Sequence, residues 1–372
     1  MRDGTHASPK YYSQGYPLVT SKNLTSAGLD FSNISLISEL DYKNINKRSR
    51  VDKGDILFGM IGTIGTPVMV HESNFAIKNV ALIKEREAVL NSFLVQLLKS
   101  PAFINYIRNE NVGGTQKFLS LNTIRNFRFS FPTSKEQAMV SRFLEKIDSL
   151  IAATQDKIDA LEQAKRALLQ RLFDQSWRFK GYSDPWEKRK LSEVTNLITK
   201  GTTPREKGGR GEVNFIKVEN LSKNGNIFTT SKVSVSEHQG YLARSILQEN
   251  DILFSIAGSL GRTAIVPKLV LPANTNQALA IIRLSTGCVE FVATYLSGEA
   301  IDRYIRRNPT VGAQPNISLT QVASLQIDWP SLHEQEVISK LFARVKDLIA
   351  ATQSRLSSLE LLKKALLQDL FI

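Results

Sequence analysis

Six residues, LIAATQ, stand at Leu150–Gln155 and again at Leu348–Gln353, 198 positions apart. Chance does not repeat a hexamer in a chain of 372 residues, and the likeness continues on both sides. DILFGMIGTIGTPVMV (Asp55–Val70) returns as DILFSIAGSLGRTAIV (Asp251–Val266), and GGTQKFLSLN (Gly113–Asn122) returns as VGAQPNISLT (Val311–Thr320). Phe131-Pro132 followed by Glu136-Gln137 returns as Trp329-Pro330 followed by Glu334-Gln335. ALLQRLF (Ala167–Phe173) returns as ALLQDLF (Ala365–Phe371), and the offset drifts only from 196 to 198. Solenoid repeats are roughly 20–50 residues long, so a period this great means two whole domains of one design.

Each copy has two parts. The first is mixed: short β-rich runs such as DILFGMIG, ALIKE, NFIKVEN and Ala278–Leu284 are parted by Gly, Asn, Pro and Ser turns. Helical patterns follow over Ser92–Asn109 and Val289–Arg307. These signals predict a compact α+β domain. The second part is one long helix. Val140, Leu144, Ile147, Ile151, Thr154, Ile158, Leu161, Leu168 and Leu172 fall on a 4–3 spacing, with Lys165 interrupting one turn. Ile338, Phe342, Val345, Ile349, Thr352, Leu356, Leu359, Leu366 and Leu370 repeat it, with Lys363 at the interruption. A sustained period of about 3.5 residues is a coiled-coil seam, and at about 1.5 Å per residue each seam runs ~50 Å.

An amphipathic helix packed on its own domain is the plainer alternative. The two seams match turn for turn, threonine and lysine included, which favours pairing with each other. Ile147, Ile151, Ile158, Leu161 and Leu168 on one helix are expected to meet Val345, Ile349, Leu356, Leu359 and Leu366 on the other. Parallel pairing would put both mixed domains at one end of the pair. Antiparallel pairing would relate them by a pseudo-two-fold axis, a symmetry that duplex DNA shares locally.

The formal charge is +13 and the isoelectric point is about 9.7. Lysine and arginine gain affinity for polyanions by releasing counterions. Here they are spread through folded-looking sequence, not massed in a tail, which suits a shaped nucleic-acid surface. Cys288 is the only cysteine, so no disulfide within the chain and no thiolate metal cluster is expected. No apolar run approaches the roughly 20 residues of a membrane span, and MRDGTHASPK lacks a secretory apolar stretch. The cytoplasm is the expected compartment.

Catalytic signatures are missing: there is no Gly-rich loop ending in Gly-Lys-Ser/Thr, no His-Glu-x-x-His and no Gly-x-Ser-x-Gly. His6, His71, His238 and His333 are scattered. Asp41–Lys43 (DYK) fits only the loose end of a nuclease motif, and copy two has EHQ there. The Asn/Asp-Pro-Pro-aromatic tetrapeptide with which amino-methyltransferases meet a flipped adenine is missing too. A non-enzymatic role without cofactor or metal follows. A coiled-coil adaptor with duplicated peptide-binding domains explains the repeat and the helices but not the charge. A stand-alone nuclease is the weaker alternative.

The DIL strand and its Gly-x-x-Gly turn, the G-x-Q…IS run, the aromatic-Pro…Glu-Gln entry and the helix ending LLQ-x-LF, all in duplicate, resemble the specificity subunit of Type I restriction–modification enzymes. The resemblance covers essentially the whole chain. It implies an α+β fold of two tandem target-recognition domains, separated by two long helices that pair as an antiparallel coiled coil with pseudo-two-fold symmetry. The domains then run 1–132 (recognition), 133–176 (helix), 177–331 (recognition) and 332–372 (helix). Double-stranded DNA is the implied ligand. Two modification (methyltransferase) subunits dock on the helices, restriction subunits join them, and no membrane is involved.

Comparing the copies with each other nominates DNA contacts. Features alike in both serve shared duties, whereas basic or polar residues that differ bias base readout. Arg48-Ser49 matches Arg244-Ser245, a possible phosphate clamp or simply a surface arginine bound within its own domain. Lys47 and Arg50 stand opposite Ala243 and Ile246. Thr5, His6 and Lys10 lie in DGTHASPKYYSQG, and Thr203, Arg205, Lys207 and Arg210 in KGTTPREKGGRGE, where a solvated basic loop is the alternative. Arg262 stands opposite Thr66. Gly62 and Gly65, like Gly258 and Gly261, suit a tight turn better than a phosphate cradle.

MRDGTH aligns on ITKGTT (Ile198–Thr203), so Tyr182–Leu197 has no counterpart before Met1. The first domain is therefore expected to lack an opening strand or helix, or else the recorded start lies too late; if the chain is truly this short, the first domain is expected to be the less stable. Hydrogen exchange is expected to show it less protected than the second; equal protection would overturn this.

Overall fold

The computed structural model describes residues 1–26, 28–61, 64–110, 118–205, 211–222, 224–307 and 316–371. By its packing the chain divides into two compact units, one formed by Met1–Asp156 with Gln353–Ile372, the other by Lys157–Thr352.

In the first unit a four-stranded antiparallel sheet runs in the order Arg2–Asp3, Val80–Ile83, Ile56–Gly59, Gly65–Met69. A second sheet has the order Ser35–Ile37, Tyr16–Val19, Ala76–Ile77, its last two strands parallel. The second unit repeats both. Its four strands are Thr195–Lys200, Leu279–Leu284, Ile252–Ser255 and Thr263–Ile265. Its three are Ser231–Val233, Val213–Ile216 and Ala273–Thr275, again parallel at the last pair. The duplication read from the sequence is a duplication of topology.

The DIL run is the centre of each larger sheet, and strand alternation sends its side chains into two cores. Ile56 and Phe58 pack with Val95 and Phe103, while Leu57 turns to Val19, Val68 and Leu82. Ile252 and Phe254 pack with Phe291 and Ile301, while Leu253 turns to Ile216, Val266 and Ile281. A strand covered on both faces reads as a continuous apolar run. The preceding aspartate is buried in both units and is held by a cation, as a buried charge requires. Asp55 accepts from Lys84 Nζ at 2.5 Å and from the Asp52 amide at 2.6 Å. Asp251 takes Arg283 in a two-pronged contact at 2.7 and 2.8 Å and the Gln248 amide at 2.7 Å.

The helical patterns expected over Ser92–Asn109 and Val289–Arg307 are each broken in two. The first becomes Asn91–Leu97 and Pro101–Glu110, because a proline lacks the amide that would continue the ladder and disfavours helix at the residue before it. The second becomes Val289–Leu296 and Glu299–Arg307, parted at Ser297-Gly298.

The long helices span Ser134–Phe173 and Leu332–Asp369. A buried glutamine brackets each start. Gln137 accepts from the Leu90 amide at 2.9 Å and donates to the Pro132 carbonyl at 2.9 Å. Gln335 accepts from the Cys288 amide at 2.9 Å and donates to the Pro330 carbonyl at 3.0 Å. Within the first unit Leu144 shares a core with Leu367 and Phe371, and Asp148 forms an ion pair with Lys363. Within the second, Leu168 and Leu172 share a core with Ile338 and Phe342, and Lys165 feels the charge of Lys346. In both units, later positions on one helix meet earlier positions on the other, so the pairing is antiparallel.

The seam is buried at Ile147, Ile158 and Ile349 and half-buried at Ile151, Leu161, Leu168, Val345, Leu356, Leu359 and Leu366. Thr154 and Thr352 are buried there because each hydroxyl donates to the carbonyl four residues back, at 2.6 Å. Leu370 departs from the expected stripe. It is 43% exposed, and Leu367 and Phe371 turn inward instead, onto Phe93 and Leu97 of the first unit.

One difference between the units is structural. In the second, Glu187–Lys190 pairs with Gln326–Trp329. Glu334, with its side chain 2% exposed, receives Arg178 at 3.1 and 2.7 Å and the Trp186 indole at 3.0 Å. Among the described residues the first unit has no such strand pair, and Glu136, the counterpart of Glu334, is exposed. Stripping one partner from a buried ion pair costs about 3–5 kcal/mol, whereas surface changes stay within about 0.5 kcal/mol. Glu334→Ala is therefore expected to lower the thermal midpoint strongly and Glu136→Ala hardly at all, as calorimetry will show.

Candidate nucleic-acid interface

A glycine in each unit sets the site. A Cβ on Gly4 would lie 2.3 Å from the Ile77 carbonyl oxygen, and one on Gly201 would lie 2.1 Å from that of Thr275. Only a residue without a side chain lets the backbone pass so close. The chain leaving the first strand of each larger sheet is thereby laid beside the turn that enters the next strand. Thr5 then bonds through its amide to the Ile77 carbonyl, and Thr202 to that of Thr275, both at 3.0 Å. The arginine before each DIL strand reaches the same place.

In the first unit Arg48 pairs with Asp3, which also accepts from His6 at 2.7 Å. The other His6 ring nitrogen lies 2.8 Å from Asn79 Oδ1. Lys78 donates to Ser8 Oγ at 2.8 Å. Lys10 stands 5.7 Å from the centre of the exposed Tyr12 ring. Lys47 reaches Asn44 at 3.1 Å and Arg50 reaches Asp52 at 3.2 Å, both on the surface. Burial works to raise the Asp3 carboxyl, but the hydrogen bond from His6 and the charge of Arg48 overcome it and hold it below its ordinary range.

In the second unit the place of Asp3 is taken by Lys200, and among the described residues Arg244 has no aspartate beside it; its Nη2 meets the Thr202 hydroxyl at 3.3 Å. Thr203 is hydrogen-bonded to Gln277. The Arg205 guanidinium lies 3.9 Å from the centre of the Tyr241 ring, and its amide donates to Glu237 Oε1 at 2.6 Å. The structure thus gathers Thr203, Arg205 and Arg244 around one strand end, as it gathers Thr5, His6 and Arg48. Arg262 is half-buried. Its Nη1 donates to the Val218 and Leu221 carbonyls at 3.3 and 3.0 Å, so one arm of this cation braces its own domain. Lys207, Arg210 and Gly62 lie outside the described residues. Gly65, Gly258 and Gly261 all have positive φ, as tight turns demand.

Lys78, Asn79, Gln277, Tyr12 and Tyr241 belong to these clusters and were not singled out from the sequence. The signal was there for Tyr241, whose counterpart in copy one is Ile45, packed against the small core of Leu18 and Ile37. Among the described residues no helix is long and apolar enough to cross a membrane.

A duplicated frame thus carries a polar, cationic surface at one equivalent place in each unit, and the residues of that surface differ between the two. The chain belongs to the family of type I restriction–modification DNA specificity domains, whose model matches residues 6–163 and again 183–361. It is a non-catalytic DNA-recognition subunit. It is 24% identical to a putative type I restriction enzyme specificity subunit, MjaX, of Methanocaldococcus jannaschii, over 99% of this chain and 89% of that one. Its fold matches the S subunit of a type I restriction–modification system from M. genitalium with a TM-score of 0.62 at 15% identity, covering all of this chain and 93% of the other. A chain from a type I system solved for its complex assembly and conformational transition gives 0.58 at 17% identity, covering 96% of this chain and 90% of that one.

Because the Asp3 carboxyl is depressed in the folded state, its bridge to His6 and Arg48 stabilises the first unit above the ordinary carboxylate value of about 4. That contribution is lost as pH falls through the lower folded value. Acidification is expected to destabilise the wild type more than an Asp3→Asn variant, which lacks the titrating group, when unfolding is followed across that range.

Proposed function

We propose that this chain is the cytoplasmic address-reading subunit of a modification complex, each unit taking one half of a split duplex target. Two methyltransferase subunits bind along the paired helices and supply the methyl transfer, and restriction subunits join them for cleavage. The observation that carries this reading is the pairing of a repeated frame with unrepeated polar residues at one equivalent place. His6, Lys10, Lys47 and Arg50 bias one half-site; Thr203, Arg205, Lys207 and Arg210 bias the other, while Thr5, which Thr202 repeats, shares a sequence-blind duty with it. Arg48 and Arg244 serve phosphates, Arg244 the more strongly because among the described residues no carboxylate offsets its charge as Asp3 offsets that of Arg48. Docking of partner subunits is supported by apolar side chains left exposed on the long helices, among them Met139, Phe143 and Leu150 on one and Leu348, Leu361 and Leu362 on the other.

Methylome sequencing of cells expressing this chain with a cognate methyltransferase tests the proposal: a two-part motif is expected, and a continuous motif or none would overturn it. Binding to duplex DNA is expected to weaken linearly in log–log terms with salt. A peptide-binding adaptor would show no such dependence. Arg244→Ala is expected to weaken all duplexes alike and to reduce the salt slope by about one, whereas Arg205→Ala weakens binding mainly at one base position.

A further inference from the structure

We propose that Tyr241 is a specificity-determining positioning residue of the second unit: its ring holds the Arg205 guanidinium flat, so that the guanidinium's edge faces a guanine of that half-site. The inference rests on the reading of this chain as a duplex-DNA specificity subunit. It adds a residue and a base.

Both members of the stack are built into place. Glu237, only 6% exposed, holds the two segments that meet: its carboxylate accepts the Arg205 amide at 2.6 Å, and its backbone carbonyl accepts the Leu242 amide at 2.8 Å. Ser234 in turn caps the start of the helix that carries Glu237, accepting its amide at 3.2 Å. On the far side, the buried Asn274 donates to the Leu242 carbonyl at 2.9 Å and to Ser245 Oγ at 3.2 Å, while its oxygen meets His238 at 2.6 Å. Leu242 itself is wholly buried. The turn that begins with Tyr241 and carries Arg244 is therefore fixed, and Tyr241 stays 45% exposed at its edge.

An arginine over an aromatic face gains cation–π attraction and loses rotational freedom before any ligand arrives. With one face of the guanidinium on the ring, its donors are left at the edge of its own plane, the fork that matches guanine O6 and N7 in the major groove. Neither residue has an equivalent in the first unit: Ser8 stands opposite Arg205, and Ile45 opposite Tyr241. The nearest analogue there, Lys10 near Tyr12, is looser at 5.7 Å and ends in an ammonium without a planar fork. A pair present in one copy alone suits a half-site difference, not a shared duty.

The test uses the full chain and a pool of duplexes randomised at every position, with bound molecules sequenced to give a preference at each base pair. Arg205→Ala and Tyr241→Ala are each expected to lose about ten-fold in preference at the same G·C pair while other positions keep theirs. Tyr241→Phe, which keeps the ring, is expected to retain it, and the double variant is expected to be no worse than Arg205→Ala alone. Tyr241→Leu, which keeps bulk without a π face, stands in if Tyr241→Ala unfolds, and is expected to show the same loss. The inference is overturned if a folded Tyr241 variant keeps the wild-type profile, or loses affinity for every duplex equally. A wild-type profile without preferences would sink the DNA-specificity reading itself; a sharp wild-type profile with an unmoved Tyr241 variant sinks this inference alone.

Discussion

The last turns of each long helix close a core that the other copy begins. Leu367 and Phe371 lie with Phe93, Leu97 and Leu144 in the first unit, and Leu172 lies with Ile338, Phe342 and Phe291 in the second. A large apolar side chain taken out of water contributes about 1.5–3 kcal/mol, and a domain's whole margin is about 5–15 kcal/mol. A few such side chains therefore decide whether a unit folds. Each copy is held to the sequence of the other, and this is why the helices stay alike while the loops drift. The hexamer LIAATQ shows the limit of that constraint. Its isoleucine and threonine enter the seam, at Ile151 and Thr154 and at Ile349 and Thr352, while Leu150 and Leu348 are exposed.

The seam tolerates an imperfection that the repeat places in it. At the interrupting lysines the units differ: Lys363 finds Asp148, but Lys165 finds Lys346, the residue that replaces the aspartate at the equivalent turn. Burial, and after it the charge of Lys346, lowers the Lys165 ammonium, with Glu162 opposing. Lysine bears this because a long apolar stem can cover hydrophobic surface while its charged end reaches towards water. The surrounding leucines and isoleucines supply the pairing energy, and the ion pair of the first unit refines it.

What could be read from the sequence was whatever a period or a repetition encodes. The central strands, the glutamines at the helix starts and the apolar seam all announce themselves twice, but the antiparallel sense of the seam has no period and came only with the family resemblance. Three things escaped. The turn inward at Leu367 and Phe371 depends on where Phe93 sits, a contact between residues far apart in the chain. The contrast between buried Glu334 and exposed Glu136 is invisible in two identical letters, because it depends on Arg178 and Trp186 arriving from elsewhere. The Tyr241 stack has no period at all; only the mismatch with Ile45 marks it.

The same division explains how such a molecule changes its target without losing its fold. Glycine at the strand exit, aspartate before the central strand, glutamine at the helix start and the apolar seam carry the architecture, and each is answered by a partner in both units. The groups that face outward at Lys47, Lys10, Thr203 and Arg205 answer to little inside. Exchanging such residues shifts stability by about 0.5 kcal/mol or less, while one two-pronged contact to a base shifts discrimination by about 1–3 kcal/mol. Preference can therefore move several times further than stability for the same change. A frame that is repeated can hold two surfaces that are not, and two modest readings joined in one chain reinforce each other as linked binding events do.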